Sequence, residues 1–451
     1  MNTLLSQRAR ADPPALLRPV QLVWLAAAVF VVSAGYGALM PLLPGWLKSM
    51  MPVASVADLA RHVGYLGGVY AAGVLVGAPF WGFVADRVGR GPILIIGLVG
   101  YVASLLALLA PAVADVWGIY ALRFATGCFV AAVIPVVSAL VAGYTSEKQR
   151  ARRFAWLSAV SLLGFLFGPG LSAVADWLAR LARLAGERAV PNVPSAQAVI
   201  VLSALLGAVI MLGLAATLPP PGSPVPASDR AAESNDKGRM TALYGLNAAV
   251  MFVLAGFELG ILLQGQLHSG VSAQEISIMF AECSLVMLGV NALLFFTALL
   301  EKVPAHKLMG AGLILAMLGL VVLTQHRTDA WIYVGISLTA AGTGVVLPVI
   351  AYLAAGASPR KLGVAMGGLA AASGIGQTLG SSVGGWLFSA IEQRSFGWLA
   401  APLMALLMLL LLRPRWWSGT AKEFGISSSL PALRTSSDAL QVAAREPPAN
   451  T

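Results

Sequence analysis

The chain has 451 residues, of which 58% are hydrophobic and only 11% are charged, and its mean hydropathy is +0.82. Because an ordinary soluble domain carries about 25% charged residues, this composition predicts a polytopic membrane protein. The net charge is +10, but the basic residues are scattered through short loops and tails, which excludes a clustered nucleic-acid-binding surface.

Apolar runs that are long enough to cross a hydrocarbon core of ~30 Å recur along the chain. The first, Leu22 to Trp46, is too long for a signal-peptide core, so we expect it to remain in the protein. The predicted spans are 22–46, 63–85, 93–113, 117–143, 154–176, 197–217, 241–265, 276–300, 308–324, 331–356, 363–390 and 396–412. Twelve spans place both ends of the chain on one side of the membrane.

The distribution of Lys and Arg predicts which side that is. The two tails and the loops that follow even-numbered spans hold most of the 29 basic residues, which puts both termini in the cytoplasm. The segment after the sixth span is rich in Pro and charge and has too little apolar periodicity for a core. We therefore predict a cytoplasmic tail (1–19), a six-helix bundle (20–217), a cytoplasmic linker (218–239), a second six-helix bundle (240–414) and a cytoplasmic tail (415–451).

The loop between the second and third spans has a specific residue order, Gly82-Phe-Val-Ala-Asp86-Arg87-Val-Gly89-Arg90. Its glycines allow a tight turn and close helix contact, and its arginines are typical of a cytoplasmic loop of any membrane protein. The complete order resembles the signature loop of the major facilitator superfamily. That resemblance implies that Gly82, Asp86, Arg87, Gly89 and Arg90 are gating residues of a cytoplasmic latch.

Two further stretches resemble motifs of proton-coupled exporters in that superfamily. The fifth span contains Gly164-Phe-Leu-Phe-Gly168-Pro169, in which small residues at i and i+4 let helix backbones touch and the proline bends the helix. This stretch resembles the antiporter motif, and residues 35–44 resemble the start of drug:proton antiporters. The resemblance implies a conformational role for Gly164, Gly168 and Pro169, although an ordinary packing motif is the alternative.

Three ionisable residues, Arg123, Glu258 and Glu282, lie well inside predicted spans and at one depth. A charge at the bilayer centre costs at least ~2.5 kcal/mol, so each needs a partner or a task. The stretch from Arg123 to Gly127 resembles a motif that the family associates with proton transfer, which implies that Arg123 controls the protonation of a nearby carboxylate. The alternatives are a permanent salt bridge, or a carboxylate that faces a polar vestibule.

Other polar side chains inside the spans are candidates for a substrate cavity. Asn247 lies eleven residues before Glu258, about three helical turns, so both share one face of the seventh span. Gln377 follows Gly376 at the place in the eleventh span that corresponds to Pro169 in the fifth. With Tyr36 of the first span, these residues are predicted to line the cavity, although such residues also serve as helix contacts.

The two halves of the chain repeat each other. Residues 133–143 match residues 346–356, and at nearly the same offset residues 86–88 match residues 301–303. Duplicated units are typical of transporters built from two bundles. We therefore predict an all-α integral membrane protein of the major facilitator fold, with twelve transmembrane helices in two pseudo-symmetric six-helix bundles.

The predicted function is proton-coupled efflux of a small organic or amphiphilic compound by alternating access. The expected setting is the bacterial inner membrane, and the expected partners are the substrate, protons and lipid, with the monomer as the working unit. The alternative is a proton-coupled importer of a small, anionic nutrient that binds Arg123. Because the sequence has no Ser/His arrangement, metal-ligand cluster or phosphate-binding loop, we expect no enzymatic activity, metal or cofactor.

Overall fold

The computed structural model describes residues 18–110, 115–143, 156–157, 159–168, 170–171, 174, 177, 195–218, 237–265, 271–297, 299, 303–325, 329–357 and 362–412. All regular secondary structure in these ranges is helical. Residues 1–17 of the predicted N-terminal tail, the whole predicted C-terminal tail, most of the linker and Pro169 lie outside the described residues.

The helices of the first half are α1 (Pro19–Leu39), α2 (Leu43–Met50), α3 (Val56–Val88), α4 (Arg90–Ala107), α5 (Val116–Val130), α6 (Ile134–Gly143), α7 (Ala159–Gly168) and α8 (Ser195–Thr217). A 3₁₀ turn at Met40–Leu42 joins α1 to α2. Pro41 and Pro44 lie at the starts of this turn and of α2, where a proline removes a backbone donor and breaks a continuous helix.

The helices of the second half are α9 (Lys237–Leu263), α10 (Ala273–Phe296), α11 (Ala305–Gln325), α12 (Asp329–Ala357), α13 (Leu362–Ile391) and α14 (Ser395–Leu412). A 3₁₀ turn at Glu392–Arg394 reverses the chain between α13 and α14. α10 begins at a capping box, in which the Ser272 hydroxyl accepts from the Glu275 backbone and the Glu275 carboxylate accepts from the Ser272 backbone.

Ten segments of the described residues are long and apolar enough to cross a membrane. The last of them, Ala365–Leu412, contains both α13 and α14, and α7 is a shorter apolar helix. This arrangement agrees with the predicted twelve crossings. The predicted start of the second span at residue 63 was wrong, because α3 already begins at Val56, where the Ser55 hydroxyl accepts from the Asp58 N–H at 3.1 Å.

Among the described residues, helices α3 and α13 of the two halves pack closely towards one end of the molecule and not towards the other. We call the end at which Gly89 joins α3 to α4 the latch end, and the opposite end the far end. Towards the far end, a Cβ added to Gly64 of α3 would lie 2.8 Å from the Gly385 Cα of α13. At the latch end, a Cβ on Gly82 would have no neighbour within 4 Å, and Phe83 is exposed. α3 and α13 therefore meet at the far end and separate at the latch end.

Candidate functional site

Arg123 on α5 is a buried cation without a bonded partner. Its side chain is 2% exposed, and its Nε and Nη2 atoms have no hydrogen-bond partner among the described residues. The ion pair found in the described ranges joins Asp58 to Arg61 at 3.6 Å, on the exposed first turns of α3. The described contact of the guanidinium is with an aromatic face, since its central carbon lies 4.7 Å from the centroid of the Tyr70 ring.

Glycine contacts between α3 and α5 bring Tyr70 and Arg123 together. A Cβ on Gly73 would overlap the Phe124 carbonyl oxygen, and one on Gly127 would overlap the Tyr70 carbonyl oxygen. Because backbones separated by glycine approach closely, the residues one turn earlier on each helix face each other. Tyr70 is not among the residues predicted from the sequence, although the small-residue spacing of Gly73 and Gly77 is a signal for this contact.

Tyrosine side chains surround the unused donors of Arg123. A small crevice beside the guanidinium is lined by Tyr36, Tyr70, Tyr101 and Thr126, among others. Gly35 also lines it, and a side chain there would collide with the Tyr101 hydroxyl. The crevice is therefore polar where Arg123 and the hydroxyl groups meet, and it lies within the first half.

A row of aromatic rings leads from this crevice to the second half. The ring centroids of Tyr70 and Tyr36 are 5.0 Å apart, those of Tyr36 and Phe165 are 5.7 Å apart, and those of Phe165 and Phe280 are 6.2 Å apart. Phe280 belongs to α10, whereas the other three belong to α3, α1 and α7. We call these four residues the aromatic row. It connects the predicted cavity residue Tyr36 through Phe165 to the second half.

The two carboxylates inside the helices lie on the second half, are both partly buried and differ in their bonding. Glu258 on α9 is partly buried, and its carboxylate makes no hydrogen bond or ion pair with the described residues. Glu282 on α10 accepts a short hydrogen bond from the Ser337 hydroxyl of α12, while its other oxygen is buried without a partner. Tyr36 lies within electrostatic range of both Glu258 and Arg123. No salt bridge joins these three charges in the described ranges.

Asn247 and Gln377 lie on α9 and α13, apart from the aromatic row. The Asn247 amide donates to the Leu369 carbonyl oxygen at 2.9 Å and to the Ser373 hydroxyl at 2.7 Å, so it ties α9 to α13. Gln377 is partly buried and follows Gly376, at which any side chain would overlap the Ala248 backbone. Their assignment to a substrate cavity stays a prediction.

The glycine motif of α7 packs directly on α1. A Cβ on Gly164 would lie 2.5 Å from the Phe30 carbonyl oxygen, and one on Gly168 would lie 2.7 Å from the Gly37 carbonyl carbon. The hydroxyls of Ser33 and Ser161 are hydrogen-bonded at 2.9 Å in the same interface. The backbones of α1 and α7 are thus in contact at both glycines.

The latch loop requires glycine at one position. Gly89 has φ 98° and ψ 152°, a conformation that residues with a Cβ rarely adopt. The contacts described for the neighbouring arginines stay within the first half: Arg87 lies 4.0 Å over the Phe83 ring, and Arg90 Nη1 donates to the Ala139 carbonyl at 2.8 Å. The side chain of Asp86 lies outside the described part of the chain.

Comparison with known proteins agrees with this architecture. A model of the Major Facilitator Superfamily matches residues 25–294 and 240–429. The tetracycline resistance protein, class B, of Escherichia coli is 37% identical over 137 residues, which are 30% of this chain and only 33% of that protein. The tetracycline resistance protein, class D, of Salmonella ordonez is 26% identical over 390 residues, 84% of this chain and 92% of that protein. The crystal structure of the human organic anion transporter MFSD10 (TETRAN) matches with a TM-score of 0.64 at 17% identity, and the match covers 87% of this chain and 100% of that protein's chain. At this identity the similarity supports the fold alone.

Proposed function

Because this chain belongs to the major facilitator superfamily, we propose that it exports a small organic or amphiphilic compound in exchange for protons, by alternating access. The observation that carries the proposal is the separation of buried charge between the halves. Arg123 lies in the first half, Glu258 lies in the second, and Tyr36 lies within electrostatic range of both. A movement of one half against the other changes how strongly the cation favours the ionised carboxylate.

The names of the relatives support export. Both are tetracycline resistance proteins, and the class D protein aligns over most of its own length. A membrane transporter protects a cell from a compound by moving it out, whereas uptake would raise its internal concentration, so these names favour an exporter over an importer of nutrients.

The distribution of basic residues supports an orientation with both termini and the latch end in the cytoplasm of a bacterial cell. In that orientation, the contact between α3 and α13 at the far end closes the periplasmic side. Their separation at the latch end then makes this conformation inward-facing. Gly82, Asp86, Arg87, Gly89 and Arg90 would form their latch contacts in the opposite, outward-facing conformation. We propose the monomer as the working unit.

Glu258 is the better candidate for the proton carrier. Its carboxylate has no bonded partner among the described residues, so protonation breaks no bond in this conformation. Glu282 accepts from Ser337, so its side chain already joins α10 to α12 in this conformation. Proton entry supplies enough energy, since a membrane potential of about 100 mV contributes about 2.3 kcal/mol for each charge moved.

The direction of proton movement tests the proposal. Everted membrane vesicles that contain the protein are energised, and a panel of resistance compounds is added while the internal pH is followed. Export by antiport predicts that a transported compound releases protons from the vesicle lumen. Proton movement in the same direction as the compound would instead make the protein a symporter, and the importer would then be the correct function.

A further inference from the structure

Arg123 keeps most of its hydrogen-bonding capacity unused in this conformation. A guanidinium carries five N–H donors and stays charged in proteins, yet Nε and Nη2 are buried without partners among the described residues. Leaving a buried cation uncompensated costs several kcal/mol. An anion bound in the crevice beside Arg123 would compensate this charge.

No described neighbour supplies that anion. The ionisable side chains within electrostatic range of Arg123 are Tyr36, Tyr70 and Tyr101, which are neutral at physiological pH. The Thr126 hydroxyl lies 2.7 Å from the Leu122 carbonyl oxygen and donates within its own helix. The face of the Tyr70 ring compensates the charge only in part.

The surroundings of Arg123 match one end of an aromatic acid. The planar fork of a guanidinium binds a carboxylate through two parallel hydrogen bonds, and hydroxyl groups of tyrosine can donate to the same oxygens. From there the aromatic row, whose rings contact one another, continues through Tyr36 and Phe165 to Phe280 and presents an apolar, aromatic wall. A flat ring joined to a carboxylate would thus meet apolar faces at one end and the cation at the other.

We propose that Arg123, with Tyr36, Tyr70 and Tyr101, forms a subsite for the carboxylate, or a similar planar anion, of an aromatic substrate. This inference rests on the proposed function, because it names the class of compound that the exporter carries. Glu258, on the other half, then remains free to carry the proton while Arg123 holds the substrate.

Two matched probes test the subsite: 2-naphthoate, which is an anion, and 2-naphthamide, which is neutral and of nearly the same shape. The purified full-length chain in detergent is titrated with each probe, and thermal unfolding is followed with a thiol-reactive dye. Cys283 is buried and Cys128 is partly buried, so both thiols become reactive on unfolding. A ligand that binds the native state raises the midpoint with its concentration, which yields an apparent affinity.

We expect naphthoate to bind about tenfold or more tightly than naphthamide, the size of one hydrogen bond to a charged group. In Arg123→Gln, the two probes should bind equally. Arg61→Gln is the matched control, because Arg61 is an exposed arginine paired with Asp58, and it should keep the preference. Arg123→Lys retains the charge without the planar fork, so its preference should be intermediate.

Three results would overturn the subsite: equal binding of both probes by the wild-type chain, no binding of either probe, or a naphthoate preference that persists in Arg123→Gln. If Arg123→Gln does not fold, an undiminished preference for naphthoate in Arg123→Lys would also overturn the subsite. Binding in detergent needs no proton gradient. If the binding assay fails but vesicles still show antiport, only the subsite is refuted. If naphthoate binds selectively but vesicles show symport, only the proposed export is refuted.

Discussion

The two halves of the molecule share a packing device and differ in the charge that they bury. In the first half, Gly164 and Gly168 of α7 bring that helix against α1, and in the second half Gly376 and Gly380 of α13 do the same against α9. Beside this common framework the first half holds a cation, Arg123, and the second half holds carboxylates. The two halves therefore have similar glycine contacts between helix backbones, whereas the ionisable residues inside their helices differ in sign of charge.

The largest expected effect comes from removing the charge of the second half. Glu258→Gln holds the side chain in a neutral form that cannot release a proton. We expect proton-driven export in everted vesicles to fall to the level of vesicles without the protein. Exchange of substrate without a gradient should persist, because the cavity is still formed.

Glu282→Gln is the matched control, since its neighbour Ser337 already holds it in a fixed contact. It should change export much less than Glu258→Gln does. If instead Glu282→Gln abolishes export and Glu258→Gln leaves it intact, the proton carrier is Glu282. Normal export by both variants would place proton coupling outside the second half.

The latch loop provides the second contrast between the halves. Gly89→Leu forces a branched side chain into φ 98°, at a cost of about 1–3 kcal/mol, or a five- to 150-fold shift in a conformational equilibrium. We expect export to fall by a factor in that range while the amount of protein in the membrane stays unchanged.

The sequence repeat aligns Pro304 of the second half with Gly89. Among the described residues, positive φ occurs at Gly89 and Glu392, so Pro304 does not have the backbone conformation of Gly89. Pro304→Gly should therefore keep nearly normal export. Gly91→Ala is a further control, because a Cβ there has no neighbour within 4 Å. Equal damage from Pro304→Gly and Gly89→Leu would mean that both loops serve as latches.

Membrane class and most of the helices could be predicted from hydropathy, because an uncharged apolar run of about 20 residues is typical of a membrane-spanning helix. The ends of helices could not. α3 begins seven residues before its predicted start, because Asp58, Arg61 and His62 look like loop residues until the cap at Ser55 is seen. Similarly, α1 ends at a 3₁₀ turn and α2 continues beyond it, which a hydropathy pattern cannot distinguish from one straight helix.

The site was partly predictable for a related reason. Arg123 and the two glutamates are rare residue types inside apolar spans, so their chemistry is visible without a structure. The roles of Tyr70 and Phe165 could not be predicted, because aromatic residues also face lipid and only the partner helix identifies which of them line the site. Asn247 shows the converse limit, since an amide in a span is compatible with a cavity or with a helix contact: its hydrogen bonds join α9 to α13, and its place in the cavity stays a prediction.

Paired substitutions at the shared packing device test whether it serves both halves equally. Gly168→Val and Gly376→Val each place a branched side chain against a neighbouring backbone, and overpacking costs about 1–3 kcal/mol. We expect both to lower export and the midpoint of thermal unfolding, with proton leak as an added effect in Gly168→Val.

Gly170→Val and Gly367→Val are the matched controls, because a Cβ on either has no neighbour within 4 Å. They should behave like the wild-type chain. If Gly168→Val transports normally with an unchanged proton requirement, α1 and α7 do not need close contact, and the antiporter interpretation of this motif loses its structural support.

The smallest expected effects concern the polar bonds that accompany the two glycine interfaces. Asn247→Ala removes two hydrogen bonds between α9 and α13, whereas Ser33→Ala removes one bond, to Ser161, between α1 and α7. Interhelical hydrogen bonds in membrane proteins average about 0.6 kcal/mol, so Asn247→Ala should lower the unfolding midpoint about twice as much as Ser33→Ala. Export by both variants should stay near normal if these residues only join helices. If Asn247→Ala instead loses substrate affinity while its midpoint of thermal unfolding is unchanged, Asn247 lines the substrate cavity, and the second half contributes part of the binding.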